Sequence, residues 1–209
     1  TYAKQAVARG ADVTIISSDK DLMQLIGPGV CMYDPASGKD GAKGSREERM
    51  IKLDEVIAYF GVPPEKVVDV QSLAGDSTDN VPGAPGIGVK TAAQLIQDYG
   101  DLDTLLARAS EIKQPKRRET LTDPEIVEKI RLSRRLVSLV DDVPLLTSID
   151  DLGLASPDPQ ALVAFLKAME FRTITGRVAQ AYGVDPATVE PDPRLAPGGA
   201  AVPERPAAA

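Results

Sequence analysis

Gly75 to Ala92 reads GDSTDNVPGAPGIGVKTA, and it sets two chemistries side by side within one helix-to-helix connection. A pair of carboxylates, Asp76 and Asp79, comes first; a glycine-rich hairpin that opens a helix at Val89 follows. Gly83, Gly86 and Gly88 lack a Cβ, so the chain there can take positive φ and let another backbone approach its amides closely. Amides pointing outward, backed by the positive end of the Val89 helix, suit a phosphate oxygen, and Lys90 and Thr91 add a mobile charge and a hydroxyl in its first turn. Such contacts position a backbone and read no bases, so the expected ligand is nucleic acid of any sequence. A G-x-G before a helix is often only a tight turn. Here the acids, PGAPGIG and KTA follow one another without a gap.

Working outward, the composition narrows the chemistry. The 209 residues are 43% hydrophobic and include no histidine and one cysteine, Cys31. That length allows one domain, or one and a fraction, with a real core. Without histidine there is no Ser-His-Asp triad or Cys-His pair; the usual zinc ligand set is missing, and a lone cysteine forms no intrachain disulfide. What remains is carboxylate chemistry, and carboxylate-only clusters suit magnesium or manganese. Cys31 reads as a small core residue in a reducing cytoplasm. No apolar run reaches the roughly 20 residues of a membrane span, and no cleavable signal is visible.

A formal net charge of −7 runs against nucleic-acid binding, yet the charge is unevenly spread. Between Lys113 and Arg135 eight basic residues, among them Lys116, Arg117 and Arg118, face four acidic ones, for a net of +4. Taken alone this segment is as well read as a solvated helix face. Its closeness in sequence to the hairpin favours a DNA track.

Ahead of the hairpin, Tyr2 to Arg9 reads as helix and Asp12 to Ser17 (DVTIIS) as a buried strand, followed at once by Ser18, Asp19, Lys20 and Asp21. Polar residues at the carboxyl end of a strand lie where open α/β folds place ligands, which makes Asp19 and Asp21 metal-ligand candidates. Capping of the helix that holds Leu22, Met23, Leu25 and Ile26 would explain one acid but not two. Val30 to Tyr33 reads as a second strand and Asp34 to Glu48 as a polar loop without chemistry. Asp54 to Phe60 is an amphipathic helix; Pro64 starts the next, whose Val67, Val70 and Leu73 should face the core. For Asp79 an ordinary Asx-turn is a serious alternative.

Beyond the hairpin, Val89 to Tyr99 is a helix ended by Gly100, and Pro124 to Val140 a long one, with Ile126, Ile130, Leu132, Leu136, Val137 and Leu139 expected to be buried. Val143 to Leu146 suggests a short strand, and Pro159 to Met169 and Phe171 to Tyr182 two closing helices. From about residue 184 to 209 proline and alanine dominate with no apolar period, which reads as a linker without a core.

The strings SSDKDLMQL and GDSTDNVPGAPGIGVKTA together closely resemble the 5′-nuclease (flap endonuclease-like) family, which in bacteria includes the N-terminal 5′→3′ exonuclease domain of DNA polymerase I; Ala84 stands where relatives often carry valine. The resemblance covers roughly residues 1–183. It implies an α/β, mostly helical fold: a few strands of a parallel Rossmann-like (PIN/resolvase-like) sheet in 1–75, a helix-three-turn-helix DNA-binding subdomain in 76–140 and closing helices in 141–183. Asp19, Asp21, Asp76 and Asp79 are implied as catalytic residues and ligands of two divalent ions. Potassium is implied on hairpin carbonyls of Gly83 to Gly88, and Gly83, Gly86, Gly88, Lys90, Thr91, Lys116, Arg117 and Arg118 are the expected contacts to duplex DNA bearing a 5′ flap or nick. A fused polymerase, a role in replication and repair and a bacterial cytoplasmic, nucleoid-associated location follow from the same likeness. The family's first acids, its Glu-Ala-Asp-Asp helix and its flap-gating arch would precede Thr1, so the chain reads as a catalytically incomplete fragment. Two other classes stay open: a sequence-independent DNA-binding module in which the aspartates are turn residues, and a protein-interaction domain.

Overall fold

A short β-branched run, Val13–Ile16 (β1), starts the sheet and pairs in parallel with Val30–Asp34 (β2), with Ile15 opposite Met32. The computed structural model describes residues 1–36 and 47–195. Arg49–Ile51 (β3) then pairs antiparallel with β2, placing Ile51 opposite Met32, and both of those side chains are fully buried. The sheet is therefore mixed, order β1-β2-β3, where the sequence suggested a parallel one. A parallel pair needs a crossover, which Lys20–Leu25 supplies as a 3₁₀ helix between β1 and β2. On β3, Arg49 lies opposite Asp34 and pairs with its carboxylate at 3.1 Å, a contact that the antiparallel return makes possible. Of the expected loop from Asp34 to Glu48, residues 37–46 lie outside the described residues.

Helices supply most of the chain. Tyr2–Ala8 (α1) precedes the sheet; Leu53–Phe60 (α2) ends at Gly61 in the left-handed region; a 3₁₀ turn, Pro64–Lys66, leads into Val67–Ala74 (α3). Val89–Tyr99 (α4) begins where expected, and Leu102–Ala107 (α5), Pro115–Thr122 (α6) and Pro124–Val137 (α7) follow. α3 is the hub: it packs against α4 and α7, and Val67, Val70 and Leu73 are wholly buried, as their spacing required. One continuous core runs from Met23 and Met32 through α3 and α4 to Ile130, so the sheet and the hairpin region share it.

Two expectations need correction here. Helix α7 buries Ile130, Ser133 and Val137, whereas Leu132, Leu136 and Leu139 are exposed. A single helix turns one stripe inward, and the small Ser133 lets α7 sit close against α3. Val143–Leu146 is not a strand: the Val143 amide bonds the Thr1 hydroxyl at 3.0 Å, Pro144 has no amide to offer, and Leu146 is exposed. Helix α6 shows no apolar period and buries only Leu121, which is why the sequence announced its charge but not its helix.

The chain forms two compact units, Thr1–Ile149 and the part from Asp150 onward. The second contains Pro159–Ala168 (α8) and Arg172–Tyr182 (α9), the two closing helices expected. Its small core is Val163, Ala179 and Val189. Val189 lies in the segment read as linker, so that reading fails between Asp185 and Leu195. The Ala187 amide caps onto Asp185 at 2.9 Å, Lys167 donates to the carbonyls of Pro186 and Val189, and the Asp192 amide bonds Ala164 at 3.1 Å. One buried valine has no periodicity to reveal it. Residues 196–209 of the expected linker lie outside the described residues.

Candidate functional site

Where β1 ends, the chain turns into the 3₁₀ helix and delivers its acids at the carboxyl edge of the sheet. Asp19 caps that helix, accepting the Asp21 amide at 3.0 Å while its own amide bonds the Ser17 hydroxyl at 3.1 Å. Asp21 turns instead toward α3, where the amide nitrogen of Gln71 donates to its carboxylate. Gln71 is 2% exposed and its carbonyl oxygen has no partner among the described residues. Burial is the main reason that the Asp21 carboxyl is pushed above its usual range, with Gln71 opposing the shift.

Gly75 ends α3 and Asp76 starts the acid loop. Mutual backbone bonds between Asp76 and Val81, at 2.9 and 2.7 Å, close this loop, and the Thr78 amide donates to the Asp76 carboxylate at 2.8 Å. The link between the two acid groups is Lys20, whose ammonium pairs with Asp76. That bond is the chief reason Asp76 is held below the ordinary carboxylate range. Burial works against the Lys20 charge, yet the bond and attraction to Asp76 outweigh it and raise the ammonium. Asp19 and Asp79 both line a polar pocket of about 350 Å³, with Ser18, Lys20, Arg49, Tyr59 and Thr78 around it. A larger, mainly apolar cavity of about 740 Å³ lies at the amino ends of β1 and β2, away from all four aspartates.

Two glycines lock the acid loop to the hairpin. Both have positive φ, 69° at Gly75 and 58° at Gly83. A Cβ on Gly75 would stand 2.7 Å from the Val81 carbonyl oxygen, and one on Gly83 would overlap the Gly75 nitrogen. The Gly83 amide does not point outward as anticipated: it donates at 2.9 Å to the buried Ser133 hydroxyl, which itself donates to the Lys129 carbonyl. The Ala84 amide bonds Leu73. The amides of Gly86, Gly88 and the first turn of α4 have no acceptor among the described residues, since Gly88 provides no side-chain cap. Gly86 (φ 77°) has open space at its Cβ, and Lys90 and Thr91 stand in that first turn.

Several basic residues already have partners within the protein. Arg118 donates to the Ile112 carbonyl at 2.9 Å, Arg134 pairs with Asp103 and Arg131 with Glu128. Lys113, Lys116, Arg117 and Arg135 form no ion pair among the described residues. Lys20, Gln71 and Ser133 escaped the sequence reading: the first lies between two acids, and the others occupy core faces of helices where polar side chains look like noise.

A family model described as 5′-3′ exonuclease, C-terminal SAM fold, matches residues 62–160. DNA polymerase I of Rhizobium leguminosarum is 55% identical over 191 residues, which are 91% of this chain and 18% of that protein. DNA polymerase I of Bacillus caldotenax is 35% identical over 83% of this chain and 19% of its own length. The thermostable enzyme of Thermus thermophilus is 34% identical over 97% and 22%. The chain thus spans about a fifth of the curated relatives that it matches. Among solved structures, phage T5 5′-exonuclease with bound zinc superposes with a TM-score of 0.53 at 20% identity, over 65% of this chain and 46% of that one, a likeness of fold. From these matches the chain belongs to the 5′-nuclease family and is homologous to the 5′→3′ exonuclease part of bacterial DNA polymerase I.

Proposed function

We propose that this chain is part of a divalent-metal-dependent 5′→3′ exonuclease, or flap endonuclease, joined to a polymerase in the same protein, that hydrolyses phosphodiester bonds at 5′ ends or flaps of duplex DNA. The Lys20–Asp76 contact carries the reading: it brings the acids after β1 up to those ahead of the glycine hairpin, beside one pocket. In this reading the amides of Gly86, Gly88 and the α4 first turn, with Lys90 and Thr91, hold a phosphate of the downstream duplex, and Lys116 and Arg117 extend the track. Gly83 serves by packing and Arg118 by bracing, so their part in DNA binding is indirect.

The donors fit magnesium or manganese in kind, being charged oxygens. In number they fall short: among the described residues no three acids stand close enough to hold a metal ion, and Lys20 already neutralises Asp76. Asp19, Asp21, Asp76 and Asp79 would contribute part of the ligand set. When bound, divalent metal supplies a hydroxide nucleophile and offsets charge on the phosphate. Potassium on the Gly83 to Gly88 carbonyls belongs to the same reading, although Ala84 and Gly88 already accept bonds from Ile87 and Ala92. Among the described residues no helix is long and apolar enough to cross a membrane, consistent with work on DNA in a bacterial cytoplasm.

The test is cleavage of a 5′-flap duplex with magnesium. The full-length protein should cut, Asp19→Asn, Asp21→Asn and Asp76→Asn should each lose at least about 100-fold in rate, and this chain alone should bind DNA and cut poorly. A second reading, a non-catalytic DNA-binding module, draws on the capping role of Asp19 and the ion pair of Asp76. Unchanged cleavage in the three Asn variants would decide for it.

A further inference from the structure

Helix α7 touches both acid-bearing segments with a single turn. Ser133 and Val137 are both buried and share one side of the helix, about 6 Å apart along its axis. At Ser133 the hydroxyl accepts the Gly83 amide at 2.9 Å and donates to the Lys129 carbonyl at 2.8 Å, and the Gly83 backbone lies against Gly75, the residue before Asp76. At Val137 the partner is Gln24, in the 3₁₀ helix that also holds Lys20 and Asp21. Its Nε2 donates one hydrogen to the Val137 carbonyl and the other to the Asp21 carbonyl, both at 2.9 Å, while its Oε1 accepts the Leu139 amide at 3.1 Å. A flipped amide would set oxygen against two carbonyls and nitrogen against an N–H, so the three partners fix its orientation. Gln24 thereby pairs a carbonyl at the α7 carboxyl end that the helix itself leaves open.

We propose that Gln24 and Ser133 are positioning residues: they fasten the acids after β1 and the acids ahead of the hairpin to one turn of α7, which sets the spacing between Asp21 and Asp76. The inference rests on the nuclease reading and adds a frame for its acids. The Lys20–Asp76 ion pair also links the two groups, but a cation at Asp76 competes with the Lys20 ammonium for the same carboxylate. The bond from Gln71 to the Asp21 carboxylate is open to the same competition. Once those contacts yield, the carboxylates repel one another, and bonds that use no carboxylate oxygen have to hold them in place. Those of Gln24 and Ser133 are of that kind: every partner is a backbone amide or carbonyl, so a cation at the acids leaves them intact. Acids held ready in this way share an ion without first being ordered, so freeing either group weakens ion binding and spares DNA binding.

The experiment measures manganese binding to the full-length protein by electron paramagnetic resonance without DNA, together with 5′-flap cleavage across a manganese series. Gln24→Met, which keeps the length of the side chain, and Ser133→Ala should each weaken manganese binding about tenfold and raise the manganese needed for half-maximal cleavage by the same factor. At saturating manganese kcat should return to within about twofold of wild type, with KM for the flap unchanged. Gln24 is only half-buried, so its variant decides the test where Ser133→Ala does not fold. Ile130→Val, a core change on α7 that touches none of these bonds, separates positioning from stability: it should lower the urea midpoint and leave manganese binding as in wild type. Manganese binding unchanged in Gln24→Met, or weakened as much in Ile130→Val, overturns the frame, and flap cleavage by wild type then leaves the nuclease reading standing. If wild type cuts no flap while Gln24→Met still weakens manganese binding and Ile130→Val does not, the nuclease reading falls and the frame survives.

Discussion

At the scale of single residues, the glycines of the hairpin have different duties, and substitution separates them. Gly83→Ala forces a Cβ into the Gly75 backbone, which cannot yield as a flexible side chain would, so a loss of about 3 kcal/mol in unfolding free energy is expected by urea titration. Gly86→Ala meets open space and pays only for its positive φ, about 1 kcal/mol. Ser133→Ala leaves the buried Gly83 amide without its acceptor and should cost about 1–3 kcal/mol by the same titration. The Lys20–Asp76 pair has a pH signature. Asp76 is depressed from 3.8 and Lys20 raised from 10.5, so the pair's stabilisation is present above the unfolded carboxylate value and below the unfolded ammonium value. It is lost as pH falls through the lowered Asp76 value or rises through the raised Lys20 value. Lys20→Met should therefore reduce the urea midpoint between about pH 5 and 9, and the gap to wild type should close as pH falls through the lowered Asp76 value. A gap independent of pH would show that Lys20 contributes by packing alone.

At the scale of elements, the proposed function gives the hairpin with α4 and the α6–α7 pair separable contributions to DNA binding. Lys90→Ala and Arg117→Ala should weaken duplex binding equally for all sequences, and each should reduce the slope of log affinity against log salt by about 1. Arg118→Ala behaves differently: its guanidinium bridges to Ile112, so the melting temperature should drop while the salt slope stays near that of wild type. An unchanged slope in Lys90→Ala would remove the α4 amino end from the interface. The charge count could not divide these neighbours, because Lys116, Arg117 and Arg118 are adjacent in sequence and only the helix turn sends one of them back into the protein.

At the scale of the whole molecule, the continuous core from the sheet to α7 predicts that residues 1–149 fold without the second unit. A 1–149 fragment should retain a cooperative melt within about 5 °C of the whole chain, read by far-UV circular dichroism. A broad, non-cooperative melt would show that the two units are interdependent. The net charge of −7 is compatible with DNA binding because basic residues gather on α6 and α7, and long-range repulsion is screened within roughly 10 Å at ordinary salt.

What the sequence determined by itself was local. Val13 to Ile16 as a strand, the start of α4 at Val89, the inward face of α3 and the two closing helices all follow from periodicity, glycine stops and proline starts, which act within a few residues. The acid pairs and the glycine turn were visible for the same reason, since each lies within one loop. Only tertiary structure decided that β3 runs antiparallel, that Val189 folds back onto Val163 and Ala179, and that Leu132 and Leu136 face outward. It alone joined Lys20 to Asp76, Gln71 to Asp21 and Ser133 to Gly83, pairs between 50 and 56 residues apart. Such contacts arise from which surfaces meet when the core closes, and no spacing along the chain encodes them.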